Sequence, residues 1–333
     1  MATKKKLLQA AAGNAGGEAL SVENVFSTYL YDGNSTARSI SNGIDLSGEG
    51  GLVWTKLRGP NTSTRHVWID TVRGVEKYLE SNTTDAEDTQ SGNSLTAFNS
   101  NGYSVGNWGS MNASGQTYAS WTFRKAPKFF DVVTYTGNGS SNGDTQTVNH
   151  NLGTTPGMII FKRTDAGGTN WVVVHRSGAT NKAILLNSSA GEYTVAPTFD
   201  YISNMTSTAF KAHRASDATL STNASGSSMV AYLFAHNDGD GDFGPDGDAD
   251  IIKCGVATIS GDTTVDLGFE PQWVLYKNAS ANGNWTIIDS MRGWTADGAI
   301  SALYPNTSGA ESAGSGYEKL TSTGFVLQNY TNG

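Results

Sequence analysis

The sequence predicts an all-β chain of tandem antiparallel β-sandwich domains preceded by a short N-terminal helical segment, on three observations. Short apolar segments rich in Val, Ile, Tyr, Phe and Trp are bounded by Gly, Asn, Ser and Asp, the signature of strands and turns. No long stretch carries the apolar spacing of an amphipathic helix, so nothing is available to cover a parallel sheet. Glycine is abundant at 40 of 333 residues and proline scarce at 7, without a period of three, which fits turn punctuation and excludes collagen. The 8 Trp, 13 Tyr and 12 Phe are too many for a disordered chain. No run of about 18 apolar residues exists, so no membrane insertion is expected. A single cysteine, Cys254, cannot form an intrachain disulfide. A net charge of −8 argues against nucleic acid as a partner.

Residues 1–24 come first. Lys4, Lys5 and Lys6 followed by Leu7, Leu8 and Gln9 to Ala12 read as a basic helix of about two turns, closed by Gly13 and a Gly-rich hinge. Such a helix is marginal alone and needs a surface to order it. Two readings stand, a docking peg and a frayed terminus, and the first makes Lys4, Lys5, Lys6, Leu7 and Leu8 an attachment segment.

Three copies of one unit follow. Val53 to Arg58 returns as Ile159 to Arg163 and as Trp273 to Lys277, with the lysines at 56, 162 and 277. Val67 to Asp70 returns as Trp171 to His175 and Trp285 to Asp289. Asn82, Asn187 and Asn306 each close a third segment, and Gly102 to Val105, Ala209 to Ala212 and Gly324 to Leu327 form a fourth. The fifth, Tyr118 to Phe123, returns once, as Met229 to Phe234. The expected boundaries are 25–130, 131–236 and 250–333, with an Asp/Gly-rich linker at 237–249. At that length each unit can own a core. The third is expected to be cut short before its last strand, with the natural chain continuing past Gly333.

Few residues suggest chemistry. Asp70 with Arg73 and Asp289 with Arg292 occupy equivalent places, where a bidentate carboxylate–guanidinium pair would fix a tight turn at a strand end, a catalytic carboxylate being the other reading. The aspartates 238, 240, 242, 246, 248 and 250 alternate with small residues. Asp238, Asp240, Asp242, Asp246, Asp248 and Asp250 could wrap Ca²⁺, yet Ala249 stands where an EF-hand loop places its bidentate Glu. A solvated, self-repelling linker is the other reading. No cofactor other than such a calcium ion is expected. The five histidines are scattered, and no nucleophile elbow, phosphate loop or dinucleotide fingerprint occurs. Trp108 and Trp294 lie in Gly-rich turns, where an exposed ring could stack on a sugar; local packing of the ring is the other reading.

The start through Leu7 to Gly13, then Asn42 to Trp54, Tyr118 to Val133 and Asn151 to Arg163 resemble virion structural proteins of marine tailed bacteriophages that carry a recurring uncharacterised domain. The resemblance spans nearly the whole chain and brings no catalytic residues. It implies a non-enzymatic, tail-associated fibre or adhesin subunit located in the virion, attached to other virion proteins by its N-terminal segment. A homotrimer is expected, since a rod shares its axis among chains. The tandem domains would face a host surface glycan or protein, where weak contacts gain by multivalency. A capsid-surface or other tail component without host contact, or a glycan-cleaving enzyme with paired carboxylates, are the alternatives.

Overall fold

A computed structural model describes residues 19–60, 64–194, 200–315 and 318–328. Lys4, Lys5, Lys6, Leu7 and Leu8 lie outside them. The chain is almost all β, 40% strand and 4% helix, in antiparallel sheets. A single helical turn at Val22–Val25 precedes the first strand.

The first unit contains β1 (Phe26–Asp32), β2 (Arg38–Ser41), β3 (Gly51–Leu57), β4 (Val67–Asp70), β5 (Lys77–Glu80), β6 (Asp88–Thr89), β7 (Leu95–Asn99), β8 (Gly102–Val105) and β9 (Thr117–Arg124). The second contains β10 (Phe130–Thr136), β11 (Thr145–Asn149), β12 (Met158–Arg163), β13 (Val172–His175), β14 (Lys182–Leu185), β15 (Tyr193–Thr194), β16 (Ile202–Ser203), β17 (Ala209–His213) and β18 (Ser228–Phe234). The third contains β19 (Thr263–Asp266), β20 (Trp273–Tyr276), β21 (Thr286–Asp289), β22 (Ala299–Ala302), β23 (Ser312–Ser315), β24 (Glu318–Thr321) and β25 (Gly324–Leu327).

The large sheet of unit one runs β1-β9-β3-β4-β5-β6 and its small sheet β2-β8-β7; unit two repeats both orders as β10-β18-β12-β13-β14-β15 and β11-β17-β16. Unit three keeps β19-β25-β24, β20-β21 and β22-β23, the counterparts of β2-β8-β7, β3-β4 and β5-β6. Among the described residues it has no counterpart of β1 or β9.

Alternation along the large sheets explains why their strands are apolar on both faces. In unit one Val53, Leu57, Val67, Ile69, Tyr78 and Tyr118 point into a core shared with the small sheet. Their neighbours Leu52, Trp54, Trp68, Leu79, Ala119, Trp121 and Phe123 point the other way. There they meet Ile160, Trp171, Val173, Val230, Tyr232 and Phe234 of unit two, and Trp285, Ile287 and Leu303 of unit three, in one central core. The three units are therefore not separate beads. Each has an inner core of its own, and all three share a second.

The segment 237–249 is not a free linker either. Phe243 is 2% exposed, packs with Phe129 in the central core, and pairs its backbone with Ala249. Gly244 N–H donates to Leu20 C=O at 2.8 Å. One aromatic among the aspartates anchors the loop, and that burial outweighs the repulsion of charges that remain in solvent.

Candidate functional site

A set of buried polar side chains lies at the joints between units, and equivalent positions in it make equivalent bonds. Asn82, Asn187 and Asn306 each accept, through Oδ1, the backbone N–H of His66, Trp171 and Trp285, at 3.0, 2.9 and 3.0 Å. That bond fixes the start of β4, β13 and β21 and aims the ring of each residue at the next unit. Trp171 Nε1–H donates to Glu80 C=O of unit one at 3.1 Å, and Trp285 Nε1–H to Leu185 C=O of unit two at 2.8 Å. His66 holds the third place. Its Nδ1 accepts from Trp54 Nε1–H at 3.0 Å, so the neutral ring carries its proton on Nε2, which lies near the Tyr304 carbonyl of unit three without closing a hydrogen bond. Burial first, then the charges of Lys56 and Arg292, hold this imidazole well below the usual histidine range, against the pull of Tyr304. Unit two thus grips unit one and unit three grips unit two, while unit one holds unit three through Arg58 on Glu311 at 2.8 Å and Ser81 O–H on the Pro305 carbonyl at 2.9 Å.

The Asp–Arg pairs belong to the same cycle. Asp70 Oδ1 accepts the Arg73 backbone N–H at 3.0 Å and Oδ2 accepts Arg73 Nε–H at 2.6 Å; Asp289 and Arg292 repeat this at 2.9 and 2.6 Å. Gly74 and Gly293 follow at φ 97°, a left-handed conformation that a side chain would strain. The guanidinium does not fork onto the carboxylate, because Arg73 Nη2 and Arg292 Nη2 donate instead to Trp68 C=O and Ile287 C=O. Each carboxylate also receives a donor from another unit. Tyr232 O–H reaches Asp70 Oδ2 at 2.9 Å, and Trp121 Nε1–H reaches Asp289 Oδ2 at 3.0 Å. Arg292 further lies 5.4 Å from the Trp121 ring centroid, a cation–π contact. Burial raises the Tyr232 hydroxyl far above its ordinary range, so it remains a donor.

Lys56 and Lys162 complete the joints. Lys56 Nζ donates to Leu57, Thr64 and Ser308 carbonyls, and Lys162 Nζ to Thr84 and Thr169 carbonyls. Burial pulls both amines down to about 8. An amine in that range suits covalent chemistry with a carbonyl, but both residues are 0% exposed and closed in by carbonyl oxygens, where no substrate reaches. Their signal in the sequence was the repeated lysine at the end of one strand. The roles of His66, Trp121, Trp171, Tyr232 and Trp285 carried no signal beyond membership of an apolar segment.

The remaining sequence-predicted residues do not converge. Asp250 accepts from Gly239 and Gly241 N–H at 2.8 and 3.0 Å, and Asp240 from Asp238 N–H at 3.0 Å. Asp242 pairs with Lys128 at 2.9 Å, and Lys253 stands 3.7 Å from Asp238 and 3.8 Å from Asp250. Asp246 and Asp248 are exposed. Among the described residues no group of three His, Cys, Asp or Glu side chains is placed to hold a metal ion. Trp294 does not present a ring to a sugar. It is 2% exposed, sits in the inner core of unit three, and donates Nε1–H to Glu318 C=O at 3.0 Å. Its Gly-rich surroundings are the turn after Arg292, which folds the ring inward. Trp108 is half-buried and packs on Tyr78 at 4.6 Å between centroids.

A cavity of about 440 Å³ opens among Thr154, Thr155, Arg176, Met205, His236, Asp238 and Asp240. His236 Nδ1 accepts from Cys254 N–H at 3.1 Å, which leaves a polar surface cleft of mixed charge. Among the described residues no helix is long and apolar enough to cross a membrane.

A family model described as a domain of unknown function, DUF7483, matches residues 22–333. No curated protein and no solved structure matches.

Proposed function

The chain belongs to the DUF7483 family of domains of unknown function, and from that premise we propose that it is a non-enzymatic structural protein of a tailed bacteriophage particle, a tail-associated fibre or adhesin subunit. The observation that carries this reading is the use of its buried polar groups. The Asp–Arg clasps, the enclosed lysines and the indole rings all serve joints between units. Groups spent on holding three sandwiches together suit a rigid building block rather than a catalyst. The resemblance of Asn42 to Trp54 and Tyr118 to Val133 to virion structural proteins supports the same reading. A fibre axis ordinarily relates three chains; here the three-membered cycle lies within one chain, which would then attach to other virion proteins as a preassembled block.

The test is location followed by competition. Gold-labelled antibody against the protein is expected to mark the tail of intact particles, and the purified protein to reduce adsorption to host cells. Label on the capsid instead would move the protein to the capsid surface. Reducing ends released from host polysaccharide by the purified protein would replace the structural reading with a glycan-cleaving one.

A further inference from the structure

The strand that donates to an Asp–Arg clasp is present in units one and two and has no counterpart in unit three among the described residues, and the two filled places define what fits there. In unit one β9 lies between β1 and β3; in unit two β18 lies between β10 and β12, both antiparallel to their neighbours. In unit three the counterpart of β3 is β20, which pairs only with β21 among the described residues. The counterpart of β10 begins at Ile252. Asn237 N–H donates to Ile252 C=O at 2.8 Å as Ala126 N–H donates to Phe130 C=O at 3.0 Å. Yet 252–258 forms no strand, and Val256 there is 78% exposed.

Three further observations mark the same place. The strand β3 is buried along its whole length, whereas every residue of β20 is only partly buried. Trp273 of β20 keeps a buried indole N–H with no acceptor among the described residues. The inner core of unit three has five buried residues, Ile288, Trp294, Ile300, Ala302 and Phe325, ringed by half-buried Val265, Leu267, Val274, Tyr276, Tyr304, Leu320 and Leu327. The joint that this strand would make is also the one that differs. Asp70 and Asp289 receive donors from β18 and β9, but their counterpart in unit two is His175, whose Nδ1 already accepts from Ser177 N–H at 3.2 Å. Its neutral ring therefore offers Nε2–H, a donor, so the incoming side chain must accept.

We infer that unit three is an acceptor for one added β-strand, which inserts antiparallel between Trp273–Tyr276 and the 252–258 segment. The register follows from the filled places. Phe123 and Phe234 stand opposite Leu52 and Met158, and Trp121 and Tyr232 opposite Trp54 and Ile160. The occupant thus carries a bulky apolar residue opposite Trp273 and, opposite Leu275, a ring with a hydrogen-bond acceptor, as tyrosine has, facing His175. It is apolar on both faces, since one meets the central core and the other the inner core of unit three. Backbone hydrogen bonds along two edges supply affinity, and the alternate side chains supply selectivity.

The probe is a fluorescent peptide with the sequence of residues 226–237, which carries Tyr232 and Phe234 in this register, titrated into the full chain and read by anisotropy. Saturable one-to-one binding with a rise in melting temperature is expected. N-methylation of alternate peptide nitrogens, or Val256→Pro in the protein, is expected to weaken binding by about tenfold or more, because each removes strand hydrogen bonds. Val256 is exposed and unpaired, so that variant should melt as the wild type does without peptide. No binding at about 1 mM peptide, or equal binding of the N-methylated peptide, overturns the inference. So does dimerisation of the free protein that the peptide cannot reverse, because the edge would then pair with a second copy.

Discussion

His66 stands where the other two units have tryptophan, and the substitution makes one joint sensitive to pH. Its folded proton affinity lies below the ordinary histidine value, so the unfolded chain takes up the proton first. Stability should be flat above about pH 6.5 and fall as pH drops below it, by up to about 1.4 kcal/mol per unit for this group. His66→Gln, which can still accept from Trp54, is expected to remove about one proton from that slope; urea midpoints between pH 5 and 7 measure it. The residual slope belongs to His150, His175 and His213, which burial lowers in the same direction. Trp171→Phe and Trp285→Phe test the sister positions. Each removes one indole N–H from a carbonyl that keeps a second donor, Thr83 N–H on Glu80 and Ser188 N–H on Leu185, and should cost about 0.5–1.5 kcal/mol in denaturant unfolding, with no pH dependence.

The turn that follows β4 and β21 does two jobs, and a pair of substitutions separates them. Within its unit, Asp70 closes the Asp-x-x-Arg-Gly turn; across units, it receives the Tyr232 hydroxyl. Tyr232→Phe should cost about 1–3 kcal/mol and Asp70→Asn more, because Arg73 then loses its nearest counter-charge at 3% side-chain exposure. A double-mutant cycle between the two should return a coupling of about 1 kcal/mol or more, and a value near zero would show that the turn and the joint are independent. The turn was legible as a repeated Asp-x-x-Arg-Gly, whereas its partner was not. Nothing local distinguishes Tyr232 from the aromatics around it, since the bond is set by how two sheets face each other across 162 residues.

Shared burial should make the three units unfold together. Trp68 touches Trp54, Trp171 and Tyr232 in the central core, so Trp68→Ala removes contacts on both sides of the joint between units one and two. The expected loss is about 3–5 kcal/mol, seen in calorimetry as one transition moved down in temperature. Splitting into separate transitions would mean that the inner cores, not the central one, set cooperativity.

The all-β class, the strands themselves and the threefold recurrence of their segments were determined by the sequence, because alternation, β-branched and aromatic content and turn residues act within a few positions. The anchoring of the Asp/Gly-rich loop by Phe243, the burial of Trp294 and the closed cycle of joints were decided only by tertiary structure. A strand apolar on both faces states that both are covered, but not by what. The second cover is chosen when sheets far apart in sequence meet, and that meeting turned three sandwiches into one body around a common core.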